Sequence, residues 1–131
     1  MKSLIVAALV ALVSPALALG ATPAPPAAAP AVKPGKVDGA TARSLAQAGA
    51  RVVDVRTPDE FASGHVPGAI NIPYDQLPGR AAEIGPPSTA VVLYCRSGRR
   101  SGIAAEALQK AGYTKLYDMQ VVTAWPDPLA K

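Results

Sequence analysis

TAVVLYCRSGRRSGIAAEALQKAG, residues 89–112, carries the signals of a strand, a loop and a helix in immediate succession. The part 89–94 is a run of apolar and β-branched residues with the length of a buried strand. We expect a helix from Ser101 to Ala111, ended by Gly112. Its predicted apolar face consists of Ile103, Ala104, Ala107, Leu108 and Ala111.

The alternation of strands and helices continues on both sides of this segment. Further strands are predicted within 51–55, 65–73 and 115–119. Helical segments are predicted at 41–48, between Thr57 and Gly64, and, as one or two turns, within 77–85. In the second of these, Thr57 is the expected N-cap, Pro58 the first helical residue and Glu60 the capping-box partner. The pattern predicts an α/β domain with a mainly parallel sheet.

The N-terminal part of the chain has a different composition from this domain. Residues 1–20 read as a signal peptide, with an early lysine, a short apolar stretch and small residues near the end. That apolar stretch is too short to span a bilayer, which disfavours the alternative of an uncleaved anchor. Residues 21–35 form a predicted Pro/Ala-rich linker, and residues 36–131 the folded domain. We expect an exported protein, periplasmic or secreted, with no stable membrane anchor after cleavage.

Length and charge limit the classes of function. At 131 residues the chain is long enough for one domain, and we expect a monomer. The formal charge of +4 falls to +3 once the single leader lysine is removed. Nucleic-acid binders usually carry a longer basic stripe with interleaved aromatic residues, so we expect no nucleic-acid partner.

The chain has one cysteine, Cys95, at the predicted carboxyl end of the 89–94 strand. By cysteine count alone, a buried inert thiol and a reactive one are equally open. The following loop favours reactivity, because backbone N–H groups before a helix and nearby guanidinium groups lower the pKa of a thiol. The residues expected to bind an anionic substrate are Arg96, Ser97, Gly98, Arg99, Arg100 and Ser101. Among the arginines, we expect Arg100 to fold back toward carboxylates and the other two to face substrate.

Two stretches resemble the rhodanese family of thiosulfate sulfurtransferases, in its small, single-domain, exported type. They are VVDVRTPDEFASGHVPGAINIP (52–73) and VVLYCRSGRRS (91–101), in the usual order and separation. The resemblance implies a central, mainly parallel five-stranded sheet flanked by helices. It also implies that Cys95 is the catalytic nucleophile and carries a persulfide, and that the loop 96–100 binds the anion.

Four further positions match the family's pattern and are interpreted as structural support. Asp54 and Arg56 correspond to its D-x-R, Glu60 to its acidic residue, and His65 to the histidine before the PGA turn. Arg56 and Glu60 are expected to form an ion pair across the strand-to-helix corner. We expect His65 to satisfy backbone groups rather than act as a base, because a thiolate ionised by its loop needs none.

The chain departs from the family pattern near its end. Where relatives typically carry a glycine pair before a tryptophan, this chain has Gln120 and Val121. Glycine permits backbone conformations and close approaches that a side chain obstructs, so the local turn beside the loop is expected to differ.

The predicted activity is sulfur transfer from thiosulfate or a similar anionic donor to cyanide or a thiol, without metal or cofactor. One alternative is a phosphatase or arsenate reductase of the same fold. Its loop has five residues between cysteine and arginine, whereas Cys95 and Arg100 enclose four. The other alternative is a non-catalytic module that binds an anion or a partner protein.

Overall fold

The computed structural model describes residues 32–131. The predicted signal peptide and residues 21–31 of the predicted linker lie outside the described residues. Within the described part, no helix has both the length and the apolar character needed to cross a membrane.

The domain is built on one five-stranded parallel sheet. Its strands are β1 (Gly35–Lys36), β2 (Arg51–Asp54), β3 (Ile70–Asn71), β4 (Val91–Cys95) and β5 (Leu116–Val121), in the order β1-β5-β4-β2-β3. The α-helices are α1 (Gly39–Gln47), α2 (Pro58–Ser63) and α3 (Arg99–Lys110). Short 3-10 turns occur at Tyr74–Gln76, Ala81–Glu83 and Val122–Ala124. The predicted α/β class and mainly parallel sheet are confirmed.

Strand β4 lies at the centre of the sheet, and all five of its residues are buried. Its side chains alternate between two layers, as the strand period of two requires. Val91, Leu93 and Cys95 belong to a layer with Ala104 and Leu108 of α3. Val92 and Tyr94 belong to the opposite layer, with Ala42 and Leu45 of α1. The thiol therefore lies on the α3 side of the sheet.

Local signals fix the beginnings of the helices. The carboxylate of Asp38 caps α1 by accepting a 2.8 Å hydrogen bond from the N–H of Thr41. Thr57 and Glu60 form the predicted capping box of α2, with Pro58 in the first turn. Helix α3 begins at Arg99, two residues before the predicted start, with Gly98 as its N-cap.

Three details of the sequence prediction are wrong. Helix α3 packs on the sheet through Ser101, Ala104 and Leu108, so Ile103 points outward and is 39 % exposed. Ala111 is likewise exposed, because it caps the end of the helix. The sequence does not predict strand β1, because two residues carry no periodic pattern and are held only by pairing with β5.

Candidate active site

The candidate site is the loop between β4 and α3, where Cys95 ends the strand and Gly98 begins the helix. Gly98 has φ +92°, a left-handed conformation that a side chain disfavours. In this conformation its backbone N–H donates a 2.9 Å hydrogen bond to Cys95 Sγ. The sequence folds this way locally because the residue three positions after Cys95 is a glycine, and a glycine permits the tight turn between β4 and α3.

The Cys95 side chain is fully buried, and the loop and the first turn of α3 enclose its sulfur. The Ser101 hydroxyl lies 3.7 Å from Sγ and donates a 3.1 Å hydrogen bond to the Gly98 carbonyl. Burial raises the pKa of the thiol. The contacts of the sulfur with the Ser101 backbone and side chain and with the Gly98 and Ser97 backbones outweigh the effect of burial and leave the pKa of Cys95 below the ordinary cysteine value. The site thus stabilises the thiolate form more than an ordinary cysteine environment does, despite the burial of the sulfur.

The three arginines of the loop have different surroundings. Arg100 forms a bidentate ion pair with Glu60, with N–O distances of 2.7 and 2.9 Å. The hydrogen bonds from Arg100 are the main reason that the pKa of Glu60 falls to about 2. Arg96 and Arg99 are exposed, and neither forms an ion pair with any described residue. The loop therefore presents two uncommitted guanidinium groups to solvent.

The predicted ion pair between Arg56 and Glu60 is wrong. Arg56 instead pairs with the fully buried Asp54, donating from Nε at 2.9 and 3.0 Å. A buried carboxylate requires a nearby cation, and Arg56 lies two residues away on the same side of an extended chain. Arg56 also donates a 2.7 Å hydrogen bond to the Gly64 carbonyl, which ties the end of β2 to the end of α2.

His65 lies at the end of α2. Its Nδ1 is 2.9 Å from the Phe61 carbonyl oxygen, and its ring stacks on the Phe61 ring with centroids 3.7 Å apart. Its backbone exchanges hydrogen bonds with Ala130. Within residues 32–131, no hydrogen bond joins His65 to the Cys95 loop. The contacts of His65 instead join the end of α2 to the C-terminal segment at Ala130.

Two polar residues near the site were not singled out from the sequence. The N–H of Val66 donates to Tyr94 Oη at 3.0 Å, and Asn71 Nδ2 donates to the carbonyls of Asp54 and Arg56 at 3.0 and 2.9 Å. A tyrosine in a fully apolar strand is a usable signal, because its buried hydroxyl requires a partner. Asn71 carried no such signal, because it bonds to backbone that is distant in sequence.

Gln120 lies beside the loop, where β5 has an irregular register. Leu93 pairs with Asp118 and Tyr94 with Gln120, so Met119 is an extra residue in β5. Gln120 has φ +72°, which makes it the one residue besides glycine with positive φ in the described chain. Gln120 therefore adopts the left-handed backbone conformation that glycine favours, although it carries a side chain.

The described residues contain no group of three His, Cys, Asp or Glu side chains arranged to hold a metal ion. The chemistry available to the loop is that of a thiol with a lowered pKa, backbone N–H donors and guanidinium groups.

Residues 39–120 match the family model of the Rhodanese-like domain. The chain is 46 % identical over 71 residues to the uncharacterized protein YqhL of Bacillus subtilis, a match that covers 54 % of this chain and 56 % of the relative. It is 41 % identical over 75 residues to a sulfurtransferase of Allochromatium vinosum, covering 56 % of this chain and 69 % of the relative.

A solved structure described as rhodanese with anions from E. coli superposes with a TM-score of 0.58 and 34 % identity, covering 62 % of this chain and 96 % of that one. The matched region thus accounts for almost the whole of that domain. By contrast, it spans little more than half the length of the B. subtilis relative.

Proposed function

This chain belongs to the rhodanese-like domain family, and from that premise we propose that it is a sulfurtransferase in which Cys95 carries the sulfur as a persulfide. One observation carries the proposal: Cys95 Sγ accepts a 2.9 Å hydrogen bond from the Gly98 N–H, and its pKa is lowered by the loop. The N–H groups that stabilise a thiolate also suit the terminal sulfur of a persulfide, which is likewise an anion.

In the first half-reaction, the Cys95 thiolate attacks the outer sulfur of the donor. With thiosulfate, a new S–S bond forms to Sγ, the S–S bond of thiosulfate breaks, and sulfite leaves with the electron pair. Charge is conserved, because a thiolate and a thiosulfate dianion become a persulfide anion and a sulfite dianion. No proton transfer is needed, and among residues 32–131 the hydrogen-bond partners of Sγ are the Gly98 N–H and the Ser101 hydroxyl, neither of which is a base.

In the second half-reaction, a nucleophilic acceptor attacks the terminal sulfur of the persulfide. Cyanide would leave as thiocyanate, and a thiolate would leave as a persulfide, each regenerating the Cys95 thiolate. Because the two substrates use the same sulfur in turn, the expected kinetics are ping-pong.

Thiosulfate is the donor we propose, and the charge of the loop supports it. Arg96 and Arg99 are exposed and unpaired within the described residues, so they are available to attract a dianion. Arg100 is committed to Glu60, which gives it a positioning role at the corner of the loop and α2. The E. coli protein named thiosulfate sulfurtransferase PspE, 44 % identical over 63 residues, adds support for this donor; the match covers 47 % of this chain and 61 % of that protein.

The pairing of Arg100 also weighs against phosphatase activity. A cysteine phosphatase uses the arginine of its loop to hold phosphate oxygens, whereas both terminal nitrogens of Arg100 donate to Glu60. The loop also has four rather than five residues between Cys95 and Arg100, which forms a smaller ring around the bound group.

Intact-protein mass spectrometry tests the proposal directly. Incubation with thiosulfate alone is expected to add the mass of one sulfur atom at Cys95, and cyanide is expected to remove it as thiocyanate. The matched control is Cys95→Ser, which should fold normally and gain no mass. Hydrolysis of an aryl phosphate without sulfur loading would contradict the proposal and favour the phosphatase.

We also propose that the protein is exported after loss of residues 1–20 and acts as a monomer outside the cytoplasm. The apolar leader and the Pro/Ala-rich segment that follows it support this. The mass of the mature protein from fractionated bacterial cells, together with its molar mass by light scattering, tests both statements. A full-length chain retained in the cytoplasm would contradict export.

A further inference from the structure

Gln120 is held in a conformation that its side chain disfavours. Its φ of +72° lies in the left-handed region, where a residue with a Cβ persists only if its surroundings impose it. Two features impose it here. The register shift of β5 turns the chain at this point, and the Gln120 N–H donates a 2.8 Å hydrogen bond to the buried Asp118 carboxylate.

This conformation places the Gln120 side chain against the thiol loop. An added Cβ on Gly98 would lie 3.3 Å from Gln120 Cβ and 3.7 Å from its Cγ. Gly98 is the residue whose N–H donates to Cys95 Sγ. Gln120 pairs with Tyr94 and the following residue, Val121, pairs with Cys95, so Gln120 is one register position from the residue that carries the thiol.

Access to the Cys95 sulfur is restricted. Cys95 is fully buried, so a donor or acceptor reaches Sγ only where the loop and its neighbours leave or open a passage. Gln120 is half-buried, and its side-chain amide forms no hydrogen bond with any described residue. What it contributes to the loop is therefore the bulk of its methylene groups beside Gly98.

We propose that Gln120 is a specificity-determining residue that restricts the approach to Cys95 to slim sulfur donors and acceptors. The inference rests on the proposed sulfur transfer. An acceptor such as cyanide passes the side chain, whereas one with bulk around its thiol, such as glutathione, is hindered. A smaller residue at this position widens the passage without removing any group that contacts the sulfur.

The test compares four variants with the parent. Gln120→Gly removes the side chain and suits the positive φ, Gln120→Ala retains only Cβ, and Gln120→Met retains the bulk without the amide. Gln47→Ala, at an exposed position of α1, is the matched control. The quantity measured is the ratio of kcat/KM for glutathione to kcat/KM for cyanide, with thiosulfate as donor.

We expect Gln120→Gly to raise this ratio about tenfold, as for the removal of bulk from a tight site. The ratio for Gln120→Ala should lie between those of the parent and Gln120→Gly. Gln120→Met and Gln47→Ala should keep the parental ratio. A ratio unchanged in Gln120→Gly would overturn the inference, as would a Gln120→Met variant that behaves like Gln120→Gly.

A second measurement does not require sulfur transfer. The resting thiol is alkylated with iodoacetamide and with the bulkier N-ethylmaleimide. The ratio of the two rate constants is then compared between the parent and the variants. Gln120→Gly is expected to favour the maleimide several-fold relative to the parent. If the parent takes no sulfur from thiosulfate, the proposed function fails. An unchanged alkylation ratio instead overturns the role of Gln120.

Discussion

Replacing Glu60 by glutamine tests the ion pair that joins α2 to the thiol loop. Hydrogen bonds from Arg100, with smaller contributions from the Thr57 N–H and hydroxyl, lower the pKa of Glu60 from its ordinary value of 4.5 to about 2. At about 1.4 kcal/mol per pKa unit, this difference sets an upper bound of about 3–4 kcal/mol on the contribution of these contacts to the free energy of unfolding. The Glu60 side chain is 26 % exposed, so solvent screening weakens the ion pair. We therefore expect Glu60→Gln to lower the free energy of unfolding by about 1–2 kcal/mol at pH 7.

Glutamine is a suitable replacement because it keeps the oxygen that completes the capping box. In the parent, Glu60 Oε1 accepts from the Thr57 N–H and hydroxyl at 3.3 and 3.1 Å, and the glutamine carbonyl can do the same. The matched control is Glu106→Gln. Its partner Lys110 and Glu106 itself are exposed, at 76 and 67 %, so that pair is expected to contribute no more than about 0.5 kcal/mol.

The effect of pH has a definite sign. A carboxylate whose pKa is lowered by folding stabilises the folded state above its unfolded pKa, and this stability is lost as the pH falls through the folded value. The difference in the free energy of unfolding between the parent and Glu60→Gln should thus be largest above pH 4.5 and shrink toward pH 2. Urea unfolding across this range measures it. A Glu60→Gln loss equal to that of Glu106→Gln at pH 7, or one independent of pH, would refute the reasoning.

Three further outcomes are expected. Ser101→Ala removes a hydroxyl that lowers the pKa of Cys95, so the pH midpoint of iodoacetamide alkylation should rise. Arg96→Ala should raise the KM for thiosulfate by the equivalent of about 1–3 kcal/mol, with a weaker dependence on salt, because one charge-assisted contact is lost. Asp54→Asn should destabilise the fold by about 3–5 kcal/mol in urea unfolding, because it removes one charge of a buried pair.

Each of these has a contradicting result. An unchanged alkylation midpoint in Ser101→Ala would mean that the backbone N–H groups alone set the pKa. Parental KM and salt dependence in Arg96→Ala would assign that guanidinium to a surface role. Asp127→Asn, in an exposed ion pair with side chains 40 and 45 % exposed, is the control for Asp54→Asn, and equal losses in the two would contradict the burial argument.

The features that the sequence predicts well are those determined by neighbours in the chain. The capping box of α2 needs only Thr57 and Glu60, three residues apart, and the structure has it as predicted. The strand, loop and helix around Cys95 are equally local, because an apolar run, a glycine and a helical period lie in succession.

The partners of buried charges are not predictable in this way. Arg56 and Glu60 are four residues apart and of opposite charge, yet each pairs elsewhere. Glu60 meets Arg100, 40 residues away, only because α2 and the start of α3 lie side by side in the fold. The left-handed conformation of Gln120 is likewise set by the pairing of β5 and by Asp118, and no propensity of glutamine indicates it.

The alternation of side chains along β4 makes this strand intolerant of insertions and deletions. Tyr94 and Cys95 are adjacent in sequence but belong to opposite layers, the phenol bonded to the Val66 N–H and the thiol to the Gly98 N–H. One residue gained or lost before Tyr94 would exchange the two layers along the rest of the strand. During evolution or in library selection, length changes near the site are therefore expected in the turn of residues 86–89, before the Ala90 carbonyl, which already accepts a hydrogen bond from the Arg51 N–H of β2.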